Sequence, residues 1–247
     1  MLIGLCGSAG AGKSTVADFL VKNHGFVSVA LADPLKRICK EVFDFSDEQL
    51  WGPSSERNKP DPRYRRRPFV SDSHLARQMT EEVQDIGDQE GFGVTDGLYL
   101  TPRHALKQLG TEWGRSCYPD IWVEYALRVA SRSLSNEYVY YTAQEGLQEI
   151  PPSAVIPPPK GVVISDVRFL NEVTAIRKAG GFVWKIERPI PGLEGAAGQH
   201  ASEQEQNSIP RELFTTTLNN NNGPLDDLEL LVNQGLAYAR LNFHDHK

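Results

Sequence analysis

Gly7-Ser8-Ala9-Gly10-Ala11-Gly12-Lys13-Ser14 is the stretch that decides the fold. It matches G-x-x-x-x-G-K-[ST] at every fixed position. Before it stands the apolar run LIGLC (2–6), which reads as a buried strand. After it, Val16, Phe19 and Leu20 fall at i, i+3 and i+4, the apolar face of a helix that Gly25 closes. Strand, glycine-rich turn and helix in that order make a phosphate-binding loop. Small side chains let the backbone curl, so that the N–H groups of Gly10, Ala11, Gly12, Lys13, Ser14 and Thr15 point at phosphate oxygens. The helix start adds positive potential. Lys13 reaches the β- and γ-phosphates, and the Ser14 hydroxyl suits Mg2+. The plain alternative, a glycine turn with no ligand, leaves the Lys-Ser pair at the head of the helix unexplained.

The pattern continues outward. Residues 26–31 read as a second strand, and Asp33-Pro34 opens a helix with Leu35, Ile38 and Val42 as its buried stripe. Thr101-Pro102 opens another, with Leu106, Leu109 and Trp113 on one face. Asp120 starts a third, with Trp122, Tyr125 and Val129 inward. VVIS (162–165) is a strand, followed by a helix over about 170–179 that Gly180-Gly181 ends. Residues 182–187 and 213–218 are further strands, and Gly223-Pro224 opens a terminal helix with Leu225, Leu228 and Val232 on its face. Strands alternating with helices indicate an α/β fold, a doubly wound parallel sheet flanked by helices. Two stretches depart from it. Residues 45–100 carry scattered prolines, the basic run RYRRR (63–67) and room for a short helix near 73–86, and read as an insertion. Residues 189–210 are rich in Gly, Pro and Ser, and 151–159 hold five prolines, a loop and not an element.

The 247 residues fit one core with an insertion, so the whole chain reads as a single phosphate-binding-loop domain. The charge balance of 26 Lys and Arg against 32 Asp and Glu gives −6, which argues against bulk nucleic-acid binding. No run approaches the ~18 apolar residues of a membrane span. Three scattered cysteines make neither a disulfide framework nor a metal site, and a reducing, cytoplasmic compartment is expected. Nothing in the pattern decides between a monomer and a homodimer.

A phosphate-binding loop alone serves kinases, switches and motors alike. Asp166 follows VVIS at the carboxyl end of a strand, where ligands bind in open α/β sheets. It is a candidate for holding Mg2+, directly or through water, with a helix cap as the alternative. Arg168, Arg188, Arg103, Arg115, Lys36 and Arg37 lie on several separate segments near strand ends. Such dispersed cations suit a transferring phosphoryl group better than a nucleic-acid backbone. No obvious His/Asp base stands beside the loop, which favours an acceptor that is itself a phosphate monoester and already ionised, with Asp33 or Asp166 as the alternative base. A small-molecule kinase with an alcohol acceptor and a nucleotide-dependent switch remain alternatives, although the guanine signature NKxD of common switches is absent.

Four motifs together are more specific than the loop: GSAGAGKSTVADFL at the start, LADPLK (31–36), QLGTEWGR (108–115) and SDVRFLNE (165–172). With RPIPG (188–192), HASE (200–203) and NNNGPLDDL (220–228), the chain resembles the bacteriophage deoxynucleoside monophosphate kinases over nearly its whole length. The resemblance implies transfer of the ATP γ-phosphate to a deoxynucleoside monophosphate with Mg2+, within a core, a monophosphate-binding region at 45–100 and a lid at 189–210. By position it implies Asp33, Leu35, Lys36, Arg103, Gln108, Gly110, Thr111, Trp122, Asp166, Arg168 and Glu172 as acceptor-binding, and Asn220 as near the adenine. An arginine of the insertion is expected on the acceptor phosphate, with Arg57 and the run at 63–67 as candidates. Lys13, Asp166, Arg168 and Arg188 are then the catalytic set, Ser14 and Asp166 the metal ligands.

Overall fold

Five parallel strands build the main sheet of a computed structural model of the chain, in the spatial order 26–29, 161–167, 2–6, 182–187 and 216–219. The structure describes residues 1–65, 99–135, 137–151, 154, 156–188, 206, 208–221 and 225–242. The expected lid falls almost wholly outside them, as do the middle of the insertion and its helix near 73–86.

β1 (Leu2–Cys6) is buried at every position because helices cover both faces of the sheet. It lies between β7 (Gly161–Val167) and β8 (Phe182–Glu187). The chain order therefore reverses at β1, whose carboxyl end feeds the glycine loop. Open α/β sheets hold ligands at such a switch point. β2 (Phe26–Val29) and β9 (Thr216–Asn219) are the sheet edges. On one face, α1 (Lys13–His24) packs Val16, Ala17 and Leu20 with Ile3, Leu5 and Trp184. The terminal helix α8 (Leu225–Leu241) adds Leu228, Val232 and Leu236 to that layer. On the other face lie α6 (Ile121–Leu134) and α7 (Leu170–Lys178). There Gly4 leaves room for Ile176, whose Cδ1 would stand 2.8 Å from an added Cβ. A small antiparallel pair, β5 (Tyr138–Tyr140) with β6 (Leu147–Glu149), follows α6.

The chain packs as two units: residues 1–33 with 118–247, and residues 34–117. The second is wider than the expected insertion, because the helices flanking it share its core. α2 (Asp33–Phe43) contributes Cys39 and α5 (Pro102–Lys107) contributes Ala105, packed with Phe45 and with Leu50 of α3 (Asp47–Trp51). α4 (Ser54–Asn58), β3 (Asp61–Arg65) and β4 (Tyr99–Leu100) complete the described part of this unit.

Several sequence expectations are corrected. The inward stripe of α2 is Leu35 and Cys39, whereas Ile38 and Val42 are exposed, because the thiol serves as the apolar residue. Residues 108–115 are not a continuation of the α-helix but a π-helix (Gln108–Arg115), whose wider turn leaves Trp113 55% exposed. Leu225 opens α8 on its solvent side. β7 runs two residues beyond VVIS, so Asp166 is inside a strand and not after it. Between Gly4 and Cys6 of β1 the register gains one residue in β7, an irregularity around Ser165 and Asp166. The pair β5–β6 was not anticipated by the sequence pattern, nor was the later start of β9 at Thr216.

Candidate active site

The loop between β1 and α1 is built by close approach. A Cβ on Gly7 would sit 2.4 Å from the Ile186 carbonyl oxygen, so this position excludes any side chain. Gly10 and Gly12 have φ of 77° and 106°, the left-handed region open to glycine. Side chains hold the loop's carbonyls. Lys13 Nζ donates to the Gly7 carbonyl and to the Ser8 carbonyl. Arg188, just after β8, donates to Gly10 O at 3.2 Å, and Asn220, just after β9, donates to Ala11 O at 2.9 Å. The helix itself is left open. α1 has neither a capping side chain at its start nor an acidic residue in its first turn. The first N–H groups of a helix have no intrahelical partner, and their dipoles sum to a partial positive charge. This end fits a chain of phosphates.

Asp166 works at the neighbouring strand end. Its Oδ1 accepts from Leu31 N–H at 2.7 Å and its Oδ2 from Ala32 N–H at 3.2 Å. It thereby ties β7 to the turn between β2 and α2. Burial, and less strongly the nearby charge of Asp33, raise its carboxyl above the usual range, while the two amides and Arg168 pull the other way. A cation beside this pair would offset the crowding of negative charge. Asp166 and the exposed Ser14 hydroxyl thus fit Mg2+, an ion that keeps several waters and takes phosphate oxygens as further ligands. Asp33 is buried, its Oδ2 accepting from Ala30 N–H and from the Tyr140 hydroxyl, both at 2.8 Å. It does not turn forward to cap α2. Glu172 is also buried, its Oε2 accepting from Arg168 N–H at 2.7 Å and Phe169 N–H at 3.1 Å. Its carboxylate holds the two amides just before α7 and with them the backbone that presents the exposed Arg168.

In the second unit, cations gather on short helices. Arg57 donates to Leu50 O and Gly52 O, and Arg103 to Asn58 Oδ1 and Ser54 Oγ. Burial, then the like charge of Arg103, lower the Arg57 guanidinium from its ordinary value, so the two cations feel each other. An anion between them would relieve that repulsion. Lys36 Nζ lies 5.6 Å from the Trp51 ring centre. Arg63, in contrast, is tied to Asp61 and Asp44. Among the described candidate arginines, Arg57 stands beside the like charge of Arg103; Arg66 and Arg67 lie outside the described residues. Gly110 stands in the π-helix against Leu35, whose Cδ1 would be 3.2 Å from an added Cβ, with Gln108 and Thr111 exposed on the same element. π-turns recur at functional sites.

The first unit thus brings together Lys13, Ser14, Arg188 and Asn220 around one loop, and Asp33 and Asp166 around one turn. Trp122 is buried in α6. Asn220 bonds the loop backbone, a role the sequence did not suggest. Sequence reasoning also missed Tyr140, although the alternation in YVYY could have marked a strand, and the supports Ser54 and Asn58 of Arg103. Gln206 Nε2 donates to Cys6 Sγ at 3.3 Å, with burial pushing that thiol up. Burial likewise pushes Cys39 up to about 11, which suits inert core thiols.

No protein-family model matches the chain. Among solved structures, a sugar kinase of Janibacter sp. HTCC2649 aligns with 96% of this chain and 92% of its own at 11% identity and a TM-score of 0.41. TT1252 of Thermus thermophilus aligns with 96% of each chain at 16% identity and a TM-score of 0.36. The fold rests on the strand order and the loop, not on these superpositions. Among the described residues no helix is long and apolar enough to cross a membrane. The sequence is 31% identical over 209 residues to a "Putative deoxynucleotide monophosphate kinase" of Acanthamoeba polyphaga mimivirus, covering 85% of this chain and 83% of that protein. The chain belongs to the kinase family of that mimivirus protein.

Proposed function

We propose that the protein transfers the γ-phosphoryl group of ATP to a deoxynucleoside monophosphate, giving the diphosphate and ADP. The observation that carries the donor half is the start of α1, open and free of acid, with Lys13 folded over the loop carbonyls. Phosphates entering the loop would draw the Lys13 ammonium off these carbonyls and onto their own oxygens. Lys13, Arg168 and Arg188 then stabilise the charge spread over the transferring group. Mg2+ supplies charge neutralisation on the donor phosphates, with Ser14 and Asp166 offering oxygens.

The acceptor half rests on the mimivirus relative's name and on the cationic pair Arg57–Arg103. Those two guanidiniums, with Lys36, suit a dianionic phosphate monoester, which needs clamping and no general base. Gln108, Gly110 and Thr111 on the π-helix, with Leu35, are assigned to the nucleoside. The carboxylates of Asp33 and Glu172 serve by holding backbone. The reaction takes small molecules only, and a location in the cytoplasm goes with it.

The test is ADP formation from ATP and Mg2+ with each of the four deoxynucleoside monophosphates, the ribonucleotides and the free nucleosides, with chromatography of the product. Stimulation by one or more deoxy monophosphates with a diphosphate as product is expected. Stimulation by nucleosides alone would move the acceptor to an alcohol. No stimulation by any acceptor would reduce the site to nucleotide binding.

A further inference from the structure

Asp33 is the last residue of the first unit before the chain passes to Pro34 and the second. Its carboxylate is 3% exposed, and a carboxylate so placed is costly unless its oxygens are bonded. Tyr140 supplies one of those bonds from β5, a hairpin strand outside the main sheet, across 107 residues of sequence. The same turn is held from its other side by Asp166, on Leu31 and Ala32. Four side-chain hydrogen bonds therefore converge on residues 30–33, one from β5, two to Asp166 of β7 and one within the turn. The next two residues are Leu35's predecessor Pro34 and Leu35 itself, followed by Lys36. The Tyr140 ring is 5% exposed and lines a cavity of about 140 Å³ with Tyr138, Val27, Ile150, Ile156 and Pro157. The bond to Asp33 ties the hydroxyl of that ring to the turn.

We propose that Tyr140 is a positioning residue: through Asp33 it fixes the turn that ends at α2, and with it the start of the helix that carries Leu35 and Lys36. This rests on the acceptor assignment of those two residues only for its kinetic consequence. The structural consequence stands without it. Tyr140→Phe keeps the ring and removes the hydroxyl, so folding is retained. Asp33→Asn keeps an oxygen that can accept from both Ala30 N–H and the tyrosine.

The test has two readouts on the full chain. Hydrogen–deuterium exchange is expected to speed up about tenfold at the amides of Ala30, Leu31 and Ala32 in Tyr140→Phe, while β1 and β8 keep wild-type protection, and Asp33→Asn is expected to stay near wild type. In the kinase assay, the KM for the best monophosphate is expected to rise about tenfold in Tyr140→Phe, with the KM for ATP unchanged within twofold. Wild-type exchange at the turn in Tyr140→Phe would overturn the proposal, and so would loosening spread evenly over the unit, which marks general destabilisation. An inactive wild-type enzyme would instead defeat the proposed function and leave the exchange result to decide this one. Equal rises in both KM values would overturn the link to α2.

Discussion

α1 and α7 start at the carboxyl ends of neighbouring parallel strands, β1 and β7, and meet the same electrostatic problem in opposite ways. Each helix start carries N–H groups with no intrahelical acceptor. α7 carries an acid in its first turn: Glu172, third in its helix, is buried and reaches back to the amides of Arg168 and Phe169, the two residues just before the helix. α1 has no capping side chain and no first-turn acid, and its loop carbonyls, not its amides, are what Lys13, Arg188 and Asn220 satisfy. The sheet thus has one helix start whose first turn holds a buried carboxylate beside an arginine, and one whose first turn holds no acid and a lysine.

The comparison can be broken at Lys13. Lys13→Ala removes the charge that follows the phosphates, and transfer is expected to fall on the order of 10³-fold. Circular dichroism should show an intact fold, because Lys13 is only half-buried and its neighbours carry the core. A variant that keeps a tenth of the activity would mean that the open start is not where the donor phosphates lie. The start with the buried carboxylate is tested by Glu172→Ala. Two half-buried amides then lose their acceptor, at about 0.5–1.5 kcal/mol each, so urea denaturation should show a loss of about 1–3 kcal/mol. ATP affinity measured by calorimetry should stay within twofold. An unchanged denaturation midpoint would remove the reading of Glu172 as the holder of those amides.

The open start was legible in the sequence and the buried carboxylate at the other was not, for a physical reason. A phosphate loop needs fixed residue types at fixed spacing, because glycine alone tolerates the left-handed turns at Gly10 and Gly12 and the contact of Gly7 with the Ile186 carbonyl. β1 is equally plain, since burial on both faces writes a continuous apolar run. Glu172 has the composition of an ordinary surface helix residue, and nothing local announces that it is buried. Asp166 is legible as a strand-end carboxylate and Asp33 as a helix opener, but their partners Ala30, Leu31 and Tyr140 are set by the meeting of elements distant in sequence. The extra residue in β7 and the π-turn at Gln108–Arg115 shift faces by one position, which a period of 3.6 or 2 cannot foresee. α2 was misjudged because Cys39 was weighed as a thiol and not as an apolar side chain.

The finest test transplants one solution onto the other. Thr15 is third in α1, as Glu172 is third in α7, and it is exposed. In Thr15→Glu the new carboxylate can reach back to the loop amides and complement the helix dipole. Without nucleotide the variant is expected to be more stable, by about 0.3–1 kcal/mol. With nucleotide the same carboxylate competes with the phosphates for the same donors and repels them. The affinity for ATP with Mg2+ should fall about tenfold, or roughly 1.4 kcal/mol. Thr15→Gln, of equal length and without charge, should show little of either effect and separates repulsion from loss of the hydroxyl. Stability and affinity must move in opposite directions if the amides at the head of α1 are held open for phosphate. A gain in stability with unchanged ATP affinity would mean that those amides face water alone, and a loss of both would mean that they are already satisfied.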